Sequence, residues 1–181
     1  MLHIQVPEQE FYDEEHEEFI TVKAQTLTME HSLISVSKWE AKWKKPYLSK
    51  DKKTNEEILD YLRCMTIGQA PELYVYRALP ASALDEIAEY INDSMTATTF
   101  HEYEKRGISR EIVTSEIIYY WMIAQNIPPE YEKWHLNRLL TLIKVCSLKN
   151  NPHPKKMSRA AIAKQNRELN AARRKKYGTR G

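Results

Sequence analysis

The chain has 181 residues, of which 42% are hydrophobic and only 4 are glycine, proportions that fit one folded domain with an appendage and exclude a low-complexity polymer or two enzyme-sized domains. No stretch approaches the roughly 20 apolar residues of a membrane span, and the first residues are acidic where a signal peptide would be basic and then apolar, so a soluble, non-secreted protein without membrane partners is expected. The formal net charge of +2 hides a split: residues 152–181 hold ten Lys or Arg against one acid, whereas the preceding 151 residues hold 17 basic and 24 acidic residues.

Leu2 to Val6 reads as a short extended segment, followed by an acidic stretch, Glu8 to Glu18, with seven acids and no Lys or Arg. That stretch is expected to be a solvated loop or helix start. From Glu18 to Met29 the residues are β-branched and partly alternating, which predicts a strand with Thr21, Lys23 and Gln25 on its polar face. Ser32 to Trp43 changes period, and Leu33, Val36, Trp39, Ala41 and Trp43 suit an amphipathic helix ended by Pro46. Seven lysines lie between Lys38 and Lys53. Thr54-Asn55-Glu56-Glu57 resembles a capping box opening a helix through Ile58, Leu59, Leu62 and Met65, with Gly68 as its stop. Leu73 to Ala78 is ambiguous between helix and strand, and Ser82 is expected to cap a helix through Leu84, Ile87, Tyr90 and Ile91.

Gly107-Ile108-Ser109 leads into Ile112, Val113, Ile117, Tyr120, Trp121 and Ala124, spaced as one helical face with Ser109 as cap. Tyr119 and Met122 then point away from that face. After Asn126-Ile127-Pro128, a second helix is predicted from Pro129 through Tyr131, Trp134, Leu136, Leu139, Leu140, Ile143 and Cys146. The pair is expected to pack as an antiparallel hairpin near 109–148. The prolines of Asn150 to Pro154 mark a boundary between an acidic body, 1–151, and a basic C-terminal arm, 152–181. Ser158 to Lys176 is rich in helix formers but poor in apolar residues, which predicts a marginal helix that firms on a partner. The fold class is mainly α, of α+β type, with a small N-terminal β element.

The chemistry-bearing motifs are sparse. Phosphate loops, nucleophile elbows and zincin motifs are absent from the sequence, so no nucleotide, metal or other cofactor is implied and no catalytic residue is assigned. His101-Glu102-Tyr103-Glu104 and a Cys146/His135 pair are formal catalytic candidates, outweighed by a polar loop and by apolar helical surroundings respectively. Cys64 and Cys146 share no CxxC or Cys/His spacing and read as core residues. Trp39 and Trp43, interleaved with Lys38, Lys42, Lys44 and Lys45, fit either a basic stacking patch for nucleic acid or a core-facing pair whose neighbouring lysines reach outward. In the arm, Arg159, Arg167, Arg173, Arg174, Lys175 and Lys176 are the candidate charge contacts. Trp39, Trp43, Tyr119 and Met122 are the candidate apolar contacts.

Ser32 to Pro46, the TNEEILDYLRCMT segment of Thr54 to Thr66, the hairpin segment Ile117 to Val145 with Tyr120-Trp121-Met122 and Trp134-His135-Leu136-Asn137-Arg138-Leu139-Leu140, and the closing Leu169 to Arg174 run together resemble the tail assembly chaperones of tailed, siphovirus-type bacteriophages. That resemblance implies a non-enzymatic protein of the host cytoplasm that coats the helical tape measure protein, keeps it soluble and hands it to polymerising tail tube subunits. It also implies a body that self-associates and a C-terminal extension that engages the tape measure. The alternative is a nucleic-acid-binding or structural virion protein whose basic arm contacts the genome.

Overall fold

A computed structural model of the chain describes residues 1–13, 17–100 and 112–150, together with 163, 166–170 and 173–174 of the arm. The fold is α+β and chiefly helical. By its internal contacts the chain divides into two units, 1–144 and 145–181, with the division falling inside the helix that begins at Leu136.

Four strands open the first unit: β1 (Leu2–Val6), β2 (Gln9–Asp13), β3 (Glu18–Val22) and β4 (Gln25–Met29). β1 pairs antiparallel with β4, and β2 with β3. Val6 faces Gln25 and Gln9 faces Val22, so one register runs through both pairs. They are consecutive stretches of a single two-stranded ribbon, interrupted where Pro7 has no N–H to donate. Ile4, Val6, Leu27 and Met29 bury the inner face of its base. The acidic stretch is therefore strand over Gln9–Asp13 rather than loop or helix start, and the strand expected over 18–29 is two strands separated at Lys23 and Ala24. Cross-strand pairing supplies what the acidic composition of this segment obscures.

Helix α1 (Leu33–Trp43) begins at Ser32, whose hydroxyl accepts from the Ser35 N–H while Ser35 Oγ accepts from the Ser32 N–H. It ends at Lys44, in the left-handed region at φ 55°, whose N–H returns to the Glu40 carbonyl. Helix α2 (Asn55–Met65) carries the predicted capping box, with Glu57 N–H on Thr54 Oγ1 and Thr54 N–H on Glu57 Oε2. It stops at Met65, three residues before Gly68, because Thr66 turns extended and pairs with Met29 of the ribbon. The Glu30 N–H to Met65 O and Ile67 N–H to Thr28 O bonds, 2.9 and 2.8 Å, fix that junction. Residues 73–77 form a short helix, α3 (Leu73–Arg77), so the strand alternative for Leu73 to Ala78 is not realised.

Helix α4 (Ala81–Asn92) starts after Pro80, whose carbonyl accepts from both the Ala83 and Leu84 N–H groups. Ser82 therefore lies inside the helix and does not cap it. Helix α5 (Ser115–Ala124) starts after Thr114. Ile112 and Val113 precede it, and Ser109, like the His101 to Glu104 run, lies outside the described residues. Asn126 takes a left-handed conformation at φ 54°, and the Ile127 N–H returns to Met122 O to close the helix. Pro129 opens not the long helix but a 3-10 helix, Pro129–Lys133, because Trp134 is extended and His135 bridges back to Ser32. Helix α6 (Leu136–Asn150) starts only then, its first N–H on the His31 carbonyl at 2.7 Å. α5 packs principally against α1, which also meets α2 and the 3-10 helix. α1 is thus the central element of the core, with Leu33, Val36 and Trp39 buried, as are Met122, Leu136 and Leu139. Among the described residues, no helix is long and apolar enough to cross a membrane.

Candidate functional site

The lysine and tryptophan cluster of α1 is built inward. Trp39 is buried and donates Nε1–H to the Glu57 carbonyl at 2.8 Å, and its ring meets Tyr47 edge-on at 5.3 Å. Trp43, half-buried, stacks on Trp39 at 6.2 Å and donates Nε1–H to Asp60 at 2.9 Å. Lys42 pairs with the other Asp60 oxygen and Lys45 with Glu57, each at 2.5 Å. The Lys45 ammonium and the Thr54 N–H hold the Glu57 carboxyl below the usual carboxylate range. Lys53 lies 4.7 Å from the centre of the Tyr47 ring. These contacts tie α1 to α2, so Trp39 is core rather than an exposed contact. Trp43 is a partly covered strut, and three of the lysines around the pair are already engaged.

Glu40 was not singled out by any sequence motif, yet it joins α1 to the start of α5, 75 residues away. Its carboxylate is buried, with Oε1 accepting from Tyr47 N–H and Oε2 from Ser115 N–H, both at 2.7 Å. Thr114 makes no side-chain cap, so Glu40 supplies the acceptor that the first turn of α5 lacks. Glu40→Gln keeps the size but presents an amide N–H to one of two donors. It is expected to lower stability by about 2–3 kcal/mol, because a buried donor loses its charged acceptor. A urea midpoint equal to wild type would contradict this role.

A second junction gathers three aromatic residues from separate elements. His31 Nδ1 lies 2.5 Å from the Tyr61 hydroxyl, and the His31 and His135 rings meet at 5.1 Å. His135 Nε2 lies 2.9 Å from the Tyr90 carbonyl, while Nδ1 accepts from the Asn137 N–H at 3.3 Å. An imidazole with a hydrogen on Nε2 and a lone pair on Nδ1 satisfies both contacts. Burial, with His135 adding to it, lowers His31 to a pKa of about 3. Both histidines are occupied in closing the fold, and His135 is placed as a structural residue rather than a base.

A cleft of about 430 Å³ opens beside α1 and the end of α2, lined in part by Glu30, Ile34, Lys38, Cys64, Ile67 and Lys133. The Met1 ammonium and Glu30, both of its lining, form an ion pair at 3.0 Å. Cys64 and Cys146 are both half-buried rather than core. Burial, then Asp60, raises the Cys64 thiol to about 11, so the thiolate a nucleophile requires is scarce at neutral pH. Among the described residues, no group of three His, Cys, Asp or Glu side chains is placed to hold a metal ion.

An open apolar surface lies on α5. Ser115, Ile118 and Met122 are buried, while Tyr120 is 66% and Ile123 75% exposed, with Ala124 beside them. Met122 is therefore a core residue and not an outward contact, and Tyr120, assigned by its spacing to the core face, points to solvent. Tyr119 is half-buried and donates its hydroxyl to Glu132 at 2.9 Å, tying α5 to the 3-10 helix. The reversal has a physical origin: Glu40 draws Ser115 inward, and that contact sets the phase of a helix apolar on all sides. In the arm, Arg167, Arg173 and Arg174 are helical and exposed, whereas Arg159, Lys175 and Lys176 lie outside the described residues.

Comparison with protein-family models, with curated proteins and with solved structures finds no match to this chain.

Proposed function

We propose that the chain is a non-enzymatic tail assembly chaperone of a tailed bacteriophage, binding the tape measure protein in the host cytoplasm and assisting tail tube assembly. The observation that carries this reading is the outward face of α5, where Tyr120, Ile123 and Ala124 form an apolar stripe on a helix whose opposite face is core. A long amphipathic helix offers a matching apolar face, and helix-on-helix docking of this kind needs neither a metal nor a nucleotide. The resemblance of the Ser32 to Pro46 and Ile117 to Val145 segments to tail chaperones supplies the partner's identity. Exposed Arg167, Arg173 and Arg174 in the arm add charge that accelerates encounter with an acidic partner.

Co-expression tests this reading. The full chain is expected to keep its tape measure protein soluble, and Tyr120→Ser with Ile123→Ser is expected to weaken the complex by about tenfold or more, since two exposed apolar anchors are lost. Both substitutions are at exposed positions, so the thermal melt stays close to that of wild type. A tape measure protein that remains insoluble with wild type, or that is held equally well by the double variant, would defeat the proposal. The alternative of genome binding through the arm predicts retained nucleic acid that is released steeply by salt.

A further inference from the structure

The cleft beside α1 and the end of α2 is aliphatic in its walls and cationic at its rim. Ile34, Met65 and Ile67 line it together with the Cys64 thiol, and among the described residues no aromatic ring does. Ile34 and Lys38 are four apart on α1 and share a helical face, so an exposed ammonium follows an apolar strip. Lys133, the last residue of the 3-10 helix, brings a second exposed cation to the same cleft. Among the described residues, neither ammonium has an ion-pair partner. The polar side chains beside them are already engaged. Ser32 and Ser35 cap α1 through each other, and Ser35 Oγ also donates to the Glu30 carbonyl at 2.7 Å. Thr66 Oγ1 donates to the Leu62 carbonyl at 3.1 Å and lies 2.7 Å from the Tyr76 hydroxyl. One oxygen of the Glu30 carboxylate accepts from the Tyr90 hydroxyl at 2.7 Å, and the other meets the Met1 ammonium.

A ligand entering this cleft meets aliphatic surface and positive charge but few free side-chain hydrogen-bond partners. A sugar, a nucleoside or a peptide would bury polar groups there without partners, at a cost that apolar contact does not offset. An unbranched aliphatic chain ending in a carboxylate has no such cost. Burial of its methylenes supplies affinity, and its head group supplies a counter-charge to the two lysines. We propose that the cleft binds a single-chain fatty carboxylate, with the chain against Ile34, Met65 and Ile67 and the head group at Lys38 and Lys133. The volume of about 430 Å³ falls within the range of roughly 300–1,000 Å³ that small-molecule sites occupy. The site lies wholly within residues 1–144 and shares no residue with the outward face of α5 or with the arm, so it stands apart from the proposed chaperone surface.

The test titrates the full chain with decanoate, below the concentration at which it forms micelles, and follows binding by calorimetry. Saturable one-to-one binding is expected. Decanol, which keeps the chain but lacks the charge, is expected to bind about tenfold more weakly or worse. Trileucine, an aliphatic carboxylate with peptide bonds, is also expected to bind more weakly than decanoate. Lys38→Glu with Lys133→Glu is expected to weaken decanoate binding by about tenfold or more. Lys23→Glu with Lys52→Glu makes the same charge change at exposed positions outside the cleft and is expected to leave binding unchanged. Occupancy is read independently in wild type, where bound decanoate is expected to slow the reaction of Cys64 with N-ethylmaleimide. Cys146, which does not line the cleft, is the internal reference and is expected to react as before. No saturable binding, decanol or trileucine bound as tightly as decanoate, an equal loss in both double variants, or a Cys64 that stays unprotected would each overturn the proposal.

Discussion

Trp39→Ala is expected to lower the stability of the first unit by about 3–5 kcal/mol, the range for removing a large aromatic side chain from a core. Trp39 sits at the centre of the α1–α2 contact, stacked on Trp43, met edge-on by Tyr47 and donating to the Glu57 carbonyl. Truncation leaves a cavity bounded by two rings and removes the hydrogen bond that sets the height of α1 against α2. Trp39→Phe restores part of the volume but not the donor, and is expected to fall between wild type and Trp39→Ala. Urea unfolding measures the difference, with an unchanged m value showing that the loss is one of native stability. A loss below about 1 kcal/mol for Trp39→Ala would place the indole outside the core. Partner affinity, measured where each variant is still folded, is expected to remain unchanged, because this indole presents no free surface.

Acid is expected to destabilise the fold through His31. In the unfolded chain the imidazole takes its proton near pH 6.5, whereas in the fold burial and the neighbouring His135 delay this to about 3. Between these values the unfolded state binds more protons, so stability is full above pH 6.5 and falls as the pH drops toward 3. At about 1.4 kcal/mol per pH unit, the loss is on the order of 2 kcal/mol by pH 5 and approaches 5 kcal/mol at the lower end of the window. Tyr61 and Tyr47 pack beside His31, and burial pushes both phenols up, so neither supplies a charge to stabilise an imidazolium there. A His31→Phe variant is expected to lose most of this pH dependence between pH 6.5 and 5, whatever its stability at pH 7. An unchanged slope in the variant would transfer the effect to other groups.

Local signals in the sequence located most of the helices. The Thr54/Glu57 capping box is a contact between residues three apart, and it forms as the spacing requires. The period of Leu33, Val36 and Trp39 likewise places α1, because only one face of that helix is apolar enough to be buried. What was not legible depended on partners far away in the chain. Glu40 reaches Ser115 across 75 residues, and that contact, absent from any local pattern, decides which face of α5 is inside. The apolar run from Ile117 to Ala124 is compatible with several helical phases, so Met122 and Tyr120 exchange the places their spacing suggests. The long helix expected from Pro129 is interrupted because His135 is held by Ser32 and by the Tyr90 carbonyl, again at long range. The acidic ribbon illustrates the converse, with strand formation imposed by pairing on a segment whose composition argues for solvent. The basic arm, by contrast, is a property of composition alone.

Binding between the purified full chain and a phage tape measure protein, followed by calorimetry at low and at high salt, tests the proposed chaperone reading most directly. Apolar capture by the α5 face predicts a complex with a negative heat-capacity change that persists at high salt and is weakened by Tyr120→Ser with Ile123→Ser. No binding at either salt concentration, or binding of nucleic acid alone that disappears as salt rises, would contradict it and assign the arm to a polyanion.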